Sequence, residues 1–308
     1  MKIPNWLYWP NIKILNLTHD DLDGAVSAIV VTTIFPTAEV VQTNYKGSGR
    51  YIKAINSIKA GGYDAIIFSD FCPDEEMVRE IHYANKPYLV IDHHPTAEIR
   101  NDYQGTYFVQ PGQCGAMLCL EYLANMANLG NLDHLRTLCE VTNDHDLWQR
   151  KMVPLSDQLN TLYYEYGFNG FMEHFKKGMD GYKLSEKDSA LLATHDQEVQ
   201  DYMIRCTQHK LPYNGYYIEL EKFNSDINLL LGDKYDWIVM CGTAEAEPGM
   251  SKLSFRTSRT DVDLGAILKE MGRGGGGHPG AAGQVIPTRE KDAFIQEFAD
   301  KAFGNKKD

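Results

Sequence analysis

Asp92-His93-His94 sets a carboxylate and two imidazoles on consecutive residues. Carboxylate oxygens with imidazole nitrogens are donors that suit Mn²⁺ or Mg²⁺ better than a thiolate-preferring metal. A second group stands earlier, in His19-Asp20-Asp21-Leu22-Asp23-Gly24. One or two acids at such a place are explained by helix capping and the macrodipole. Four polar side chains exceed what a cap needs, and clustered carboxylates repel one another unless a cation sits among them. Asp70 and the pair Asp144 and Asp146 add further carboxylates. Singly, each has a bland reading: a polar strand end at 92–94, a cap at Asp70, a polar helix end pinned by Trp148 at 144–146. Their chemistry is that of a candidate metal centre only if the fold gathers them.

The elements around them allow it. Residues 12–17 alternate like a strand, residues 25–35 are apolar and helix-like, and Pro36 closes them. Residues 39–43, 64–68 and 87–91 read as further strands, with helices over 50–59 and 74–84 between them. This alternation predicts an α/β fold with a parallel sheet covered on both faces. Parallel crossovers put all the strand ends on one edge, where ligands bind in such sheets. His19, Asp21, Asp23, Asp70, His93 and His94 then converge. Neighbouring side chains on an extended chain point opposite ways, so 92–94 cannot all serve one ion alike.

Further on, helices are expected over 113–128 and 132–140, the second running into Asp144 and Asp146. The aromatic-rich stretch 152–176 reads as helical core, and 183–206 as a long polar connecting helix. From Gly215 the pattern changes to strands at 216–220, 237–241 and 250–258, a short helix at 264–271, and then a glycine-rich loop, Gly274 to Gly283. Glycines let backbone approach a ligand and offer bare N–H groups to anionic oxygens. The loop lacks the Gly-Lys-Ser/Thr of a Walker A motif and opens no dinucleotide-type unit. The expected domains are a first lobe at 1–185, a helical connector at 186–210 and a smaller α/β lobe at 211–308, with a cleft between the two lobes.

Composition narrows the partners. The chain has 308 residues, 43% hydrophobic and 23% charged, and a net charge of −12. That acidity argues against a broad basic grip on nucleic acid, but not against a nucleotide held through cations. The six cysteines form no Cys-x-x-Cys pair, so no zinc knuckle or disulfide framework is indicated. They are expected to be reduced, in a cytoplasmic protein. No apolar run of about 18 residues suggests a membrane span.

Jointly, His19-Asp20-Asp21-Leu22-Asp23-Gly24, Asp70, Asp92-His93-His94 and Asp144 resemble the DHH phosphoesterase superfamily, in the branch with a DHH-associated C-terminal domain. That branch includes nanoRNase/oligoribonuclease-type enzymes, cyclic dinucleotide phosphodiesterases and RecJ-type exonucleases. Ser254-Phe255-Arg256 and Gly275-Gly276-Gly277-His278 look like its substrate-binding elements. His19 stands two residues before Asp21, nearer the spacing of RecJ-like proteins. The resemblance implies two Mn²⁺ or Mg²⁺ ions and hydrolysis of a phosphodiester. His19 and Asp21 would serve one ion, Asp23, His93 and Asp144 the other, with Asp70 between them. Asp146 competes with Asp144, which is preferred because it directly ends the helical pattern. Asp92, His93 and His94 would be the catalytic residues, His94 facing the scissile phosphate. Arg256, Gly275, Gly276, Gly277 and His278 would hold the substrate together with His94.

The expected activity is cleavage of short oligonucleotides or dinucleotides to mononucleotides. The alternatives are a cyclic dinucleotide phosphodiesterase, an adenosine bisphosphate phosphatase, or a non-enzymatic nucleotide sensor. The expected partner is a short nucleic acid or dinucleotide, with no membrane, and homodimerisation is left open.

Overall fold

In a computed structural model, residues 3–95, 97–99, 104–124, 132–244 and 248–304 are described. The chain divides into two compact units, Met1–Leu192 and Ala193–Asp308.

The first unit holds β1 (Ile14–His19), α1 (Leu22–Ile34), β2 (Glu39–Thr43), α2 (Gly49–Ala60), β3 (Ala65–Ser69), α3 (Glu75–Ala84), β4 (Tyr88–Asp92), β5 (Gly105–Val109), α4 (Gly115–Ala124), α5 (Asp133–Asp146) and α6 (Leu155–Phe175). Its five strands run parallel in the order β2-β1-β3-β4-β5. Both faces are apolar, and the period-2 alternation of strand side chains divides them. Ala65, Ile67, Leu89 and Ile91 pack with α1, α4, α5 and α6. Ile66, Phe68, Tyr88 and Val90 pack with α2 and α3 on the other side. Strands buried on both faces are why these runs read as continuously hydrophobic in the sequence. Among the described residues no helix is long and apolar enough to cross a membrane.

The helix α7 (Glu186–Arg205) contains the division between the units. The second unit continues with β6 (Gln208–Leu211), β7 (Gly215–Glu219), α8 (Asn224–Gly232), β8 (Trp237–Thr243), β9 (Met250–Thr257), α9 (Leu264–Glu270), β10 (Gly276–His278), β11 (Ala281–Pro287) and α10 (Lys291–Phe303). These strands form one mixed sheet in the order β10-β11-β9-β8-β7-β6, with only β7 and β8 parallel. A core of Trp237, Val239, Phe255, Phe294 and Phe298 packs α10 and α9 on one face. Ile218, Ile238, Met240, Ile227 and Leu231 line the other.

Several elements depart from the sequence reading. The expected glycine-rich loop is in part a strand: Gly276, Gly277 and His278 pair with Gly283, Ala282 and Ala281. Gly277 has φ +149, and a Cβ there would lie 2.5 Å from the Ala281 carbonyl oxygen. The glycine therefore serves strand packing as well as any ligand. The helix expected at 132–140 continues to Asp146, because nothing in Val141-Thr142-Asn143 breaks it. Residues 125–128 of the helix expected at 113–128 lie outside the described residues, as do the last four residues. The edge strands β5 and β6 and the helices α8 and α10 are additions to the sequence reading.

Candidate metal centre

Register carries the site. Thr18 on β1 stands opposite Ser69 on β3, and Ser69 opposite Ile91 on β4. The next residue on each chain is His19, Asp70 and Asp92, so the three line up along the carboxyl rim. The Asp70 N–H donates to the Ile91 carbonyl at 2.8 Å. Thr18 Oγ1 donates to the Gly24 carbonyl at 2.6 Å and lies 3.0 Å from that of Ser69, which pins the start of α1 to the end of β3.

Asp70 is the centre of the group. It is 1% exposed and has φ +56, a left-handed backbone that costs a non-glycine residue about 1 kcal/mol or more and persists only where the surroundings enforce it. Gly115, opening α4, allows the fit: a Cβ on it would lie 2.5 Å from the Asp70 Cβ. The same helix start holds Asp23, whose carboxylate accepts from Gly115 N–H at 2.6 Å and Ala116 N–H at 2.8 Å, a favourable use of a helix N-terminus.

Around Asp70 the donors gather in overlapping sets: His19, Asp21 and Asp70; Asp23, His93 and Asp146; and Asp70, Asp92, His93 and His94. In each set the ligand atoms lie within 4.8 Å of one another. The His93 Nε2 is 3.3 Å from Asp70, 3.5 Å from Asp146 and 3.6 Å from Asp23. Asp92 works behind it. Its Oδ1 accepts from the His93 N–H at 2.8 Å, the His94 N–H at 3.3 Å and the His94 ring Nδ1 at 2.8 Å. Asp21 Oδ1 caps α1 by accepting from Gly24 N–H, and its Oδ2 is 2.6 Å from His19 Nδ1. That contact leaves His19 Nε2 as the ring atom without a partner.

The structure does not bring Asp144 into this group; Asp146 stands there in its place. Its carboxylate accepts from Lys151 N–H, Met152 N–H and Ser156 Oγ–H at 2.8–3.0 Å, so it ties down the turn after α5. Two residues along a helix are about 200° apart around its axis. Asp146 therefore points the other way, to His93. The fourth acid of the first motif, Asp20, is also taken elsewhere, by Arg50 at 2.6 Å and Asn44 at 2.6 Å.

Electrostatics match this geometry. Burial, followed by the charges of Asp23 and Asp21, pushes Asp70 well above the usual carboxylate range. The same causes push Asp146 up to about 7. Burial lowers His93, which keeps its imidazole neutral as a ligand must be. Its hydrogen bond with Asp92 raises His94. Both oxygens of Asp70, Asp92 Oδ2, Asp146 Oδ2, His93 Nε2 and His19 Nε2 are buried without a hydrogen-bond partner. Among the described residues no lysine or arginine pairs with Asp21, Asp23, Asp70, Asp92 or Asp146. Orphaned oxygens and nitrogens facing one another are costly, and divalent cations would satisfy them.

In the second unit, Arg256 pairs in register with Ala281, and Ala281 with His278. Arg256 and His278 therefore share one row and one face of the sheet. Burial lowers the Arg256 pKa; its Nη1 donates to the Phe255 carbonyl, and no described carboxylate pairs with it. Gly275 lies against the Gln284 side chain.

Residues 223–304 match the DHHA1 domain. The chain's fold is similar to that of the pGpG-specific phosphodiesterase PggH from Vibrio cholerae, at 14% identity and TM-score 0.61 over 94% of this chain and 98% of that one. It is also similar to the DHH domain of a member of the s1p family of ribosomal proteins, at 14% identity and TM-score 0.60 over 94% and 86%. RecJ from Thermus thermophilus, in complex with Mn²⁺, matches at 12% identity and TM-score 0.56, over 94% of this chain and 52% of RecJ. No curated protein sequence matches the chain. The chain has the DHH-family fold, with a DHHA1 domain in its second unit.

Proposed function

We propose that this protein is a metal-dependent phosphodiesterase that cleaves short linear nucleotides, dinucleotides or oligonucleotides of a few residues, to mononucleotides. The observation that carries the reading is the rim of buried, unpartnered carboxylate and imidazole atoms around Asp70, with no lysine or arginine among the described residues paired to it. His19 and Asp21 would hold one Mn²⁺ or Mg²⁺, Asp23, His93 and Asp146 a second, and Asp70 reaches both groups. When bound, such ions act as Lewis acids on phosphoryl oxygens and on the attacking water. Asp92 fixes both histidines, and by accepting from His94 Nδ1–H it favours the doubly protonated ring, whose Nε2 proton can be given to a phosphoryl or leaving oxygen. Arg256 and His278 suit a substrate anion. The fold shared with a pGpG phosphodiesterase and with RecJ supports this reading. So does the acidity of the chain, which favours short substrates over long strands.

The test is incubation with Mn²⁺ and a panel of di- to hexanucleotides of RNA and DNA, cyclic di-AMP, cyclic di-GMP and adenosine bisphosphate, beside Asp70→Ala and Asp92→Ala. Release of mononucleotides from the short linear members, lost in both variants, is expected. Variants as active as wild type would remove the centre, and turnover of cyclic substrates alone would move the assignment to a cyclic dinucleotide phosphodiesterase.

A further inference from the structure

The first unit has a groove of about 360 Å³ beside the edge strand β2. It exists because α6 is broken. Gly167 has φ 62 and ψ 167 inside that helix, and Gly167 and Gly170 bring no side chains to the wall they form. Arg50 and Lys53 also line the groove, three residues apart on α2 and thus neighbours on its surface. Gln42 and Asn169 add amide groups. The chain carries 42 acidic against 30 basic residues, yet among the described residues this lining holds two cations and no carboxylate. Such a wall selects an anion.

The groove adjoins the metal centre. Arg50 Nη1 holds Asp20 Oδ2 at 2.6 Å, and Asp20 Oδ1 is 3.8 Å from His19 Nε2. Gln42 donates to the Tyr163 hydroxyl, which donates to the Asp20 carbonyl. Asp20 is neutralised by this pairing, while the guanidinium has further N–H groups to offer and is 48% exposed. Lys53 is exposed on the same wall.

We infer that the groove is a second phosphate subsite, which takes a phosphoryl group of the substrate other than the one being cleaved. The inference rests on the proposed phosphodiesterase activity and deepens it, because it makes a substrate with two phosphates preferred over one with a single phosphate. A free mononucleotide offers the same chemistry, and the experiment separates the two.

With Mn²⁺, KM is measured for diadenosine monophosphate and for its 5′-phosphorylated form and the trinucleotide. The proteins are wild type, Lys53→Glu, Arg50→Lys and Lys59→Glu. Lys59→Glu makes the same charge change farther along α2, outside the groove. Binding of adenosine 5′-monophosphate and of the 5′-phosphorylated dinucleotide is measured by calorimetry in EDTA, where no hydrolysis occurs. The wild type should prefer a two-phosphate substrate. Lys53→Glu should reduce that preference about tenfold, the effect of one charged contact. Lys59→Glu should keep it, and Arg50→Lys should reduce it in part. In EDTA the dinucleotide should bind more weakly to Lys53→Glu by a similar factor. An equal loss with Lys59→Glu, or an unchanged preference with Lys53→Glu, overturns the inference. So does mononucleotide binding that depends on Lys53 while the substrate preference does not, which would make the groove a site for free nucleotide. Failure of wild type to hydrolyse any substrate refutes the proposed activity instead, and the binding arm still reads the groove.

Discussion

Asp144 and Asp146 leave α5 on opposite sides, and replacing each by asparagine should move stability in opposite senses. Asp144 is 2% exposed and accepts three hydrogen bonds from the turn that follows α5. An amide can turn only one oxygen to those donors, so at least one is left against an NH₂ group. Hydrogen bonds to a buried charge are worth about 1.5–3 kcal/mol each, and the expected loss is about 2–4 kcal/mol. For a unit of this size that lowers Tm by about 5–15 °C.

Asp146 has the opposite sign. Its folded pKa lies near 7, raised from 3.8 by burial and by Asp23 and Asp21. A carboxyl raised in the folded state binds its proton more tightly there. It therefore costs nothing below the unfolded value, costs progressively more from about pH 4 to 7, and costs its full amount above 7. At 1.36 kcal/mol per unit the ceiling is about 4 kcal/mol, reduced by sharing with its acidic neighbours. Asp146→Asn removes that cost. In EDTA at pH 8 the variant should melt higher than wild type, and near pH 4 the two should melt together. Mn²⁺ affinity, read by calorimetry, should fall by tenfold or more in Asp146→Asn and stay within about threefold in Asp144→Asn, each tenfold being about 1.4 kcal/mol. Thermal melts in EDTA at the two pH values, with the Mn²⁺ titrations, decide the matter. If Asp144→Asn loses the metal and Asp146→Asn keeps it, the reading of α5 is wrong.

Two further outcomes follow from the same geometry. Gly115→Ala places a methyl against the Asp70 Cβ and should both destabilise the first unit by about 1–3 kcal/mol and weaken Mn²⁺ binding; unchanged calorimetric affinity would show that Asp70 can shift without consequence. Arg256→Gln removes a guanidinium that no described carboxylate pairs, so Tm and Mn²⁺ affinity should hold while KM for a dinucleotide rises about tenfold or more; a Tm loss with unchanged KM would make Arg256 structural.

By itself the sequence determined that strands and helices alternate and that the strands at 12–17, 64–68 and 87–91 run into acids or histidines. Those facts follow from local rules: apolar runs of strand length, Pro36 and Gly61-Gly62 as stops, and side chains too polar to extend a buried strand. It also determined that His19, Asp21, Asp23, Asp70, Asp92, His93 and His94 stand where parallel strands finish, since right-handed crossovers send every strand the same way. Only the tertiary structure brings Asp146, and not Asp144, beside His93, because that depends on α5 continuing past Thr142 and on which side of it meets His93. It decided that Asp20 serves Arg50 and not the rim, an ion pair between residues far apart in the chain. It decided that Gly276–His278 is a strand, because a glycine run carries no periodicity, and its pairing with β11 comes from the partner strand. Local chemistry thus named the donors, and long-range packing, which no window of sequence contains, assigned their directions.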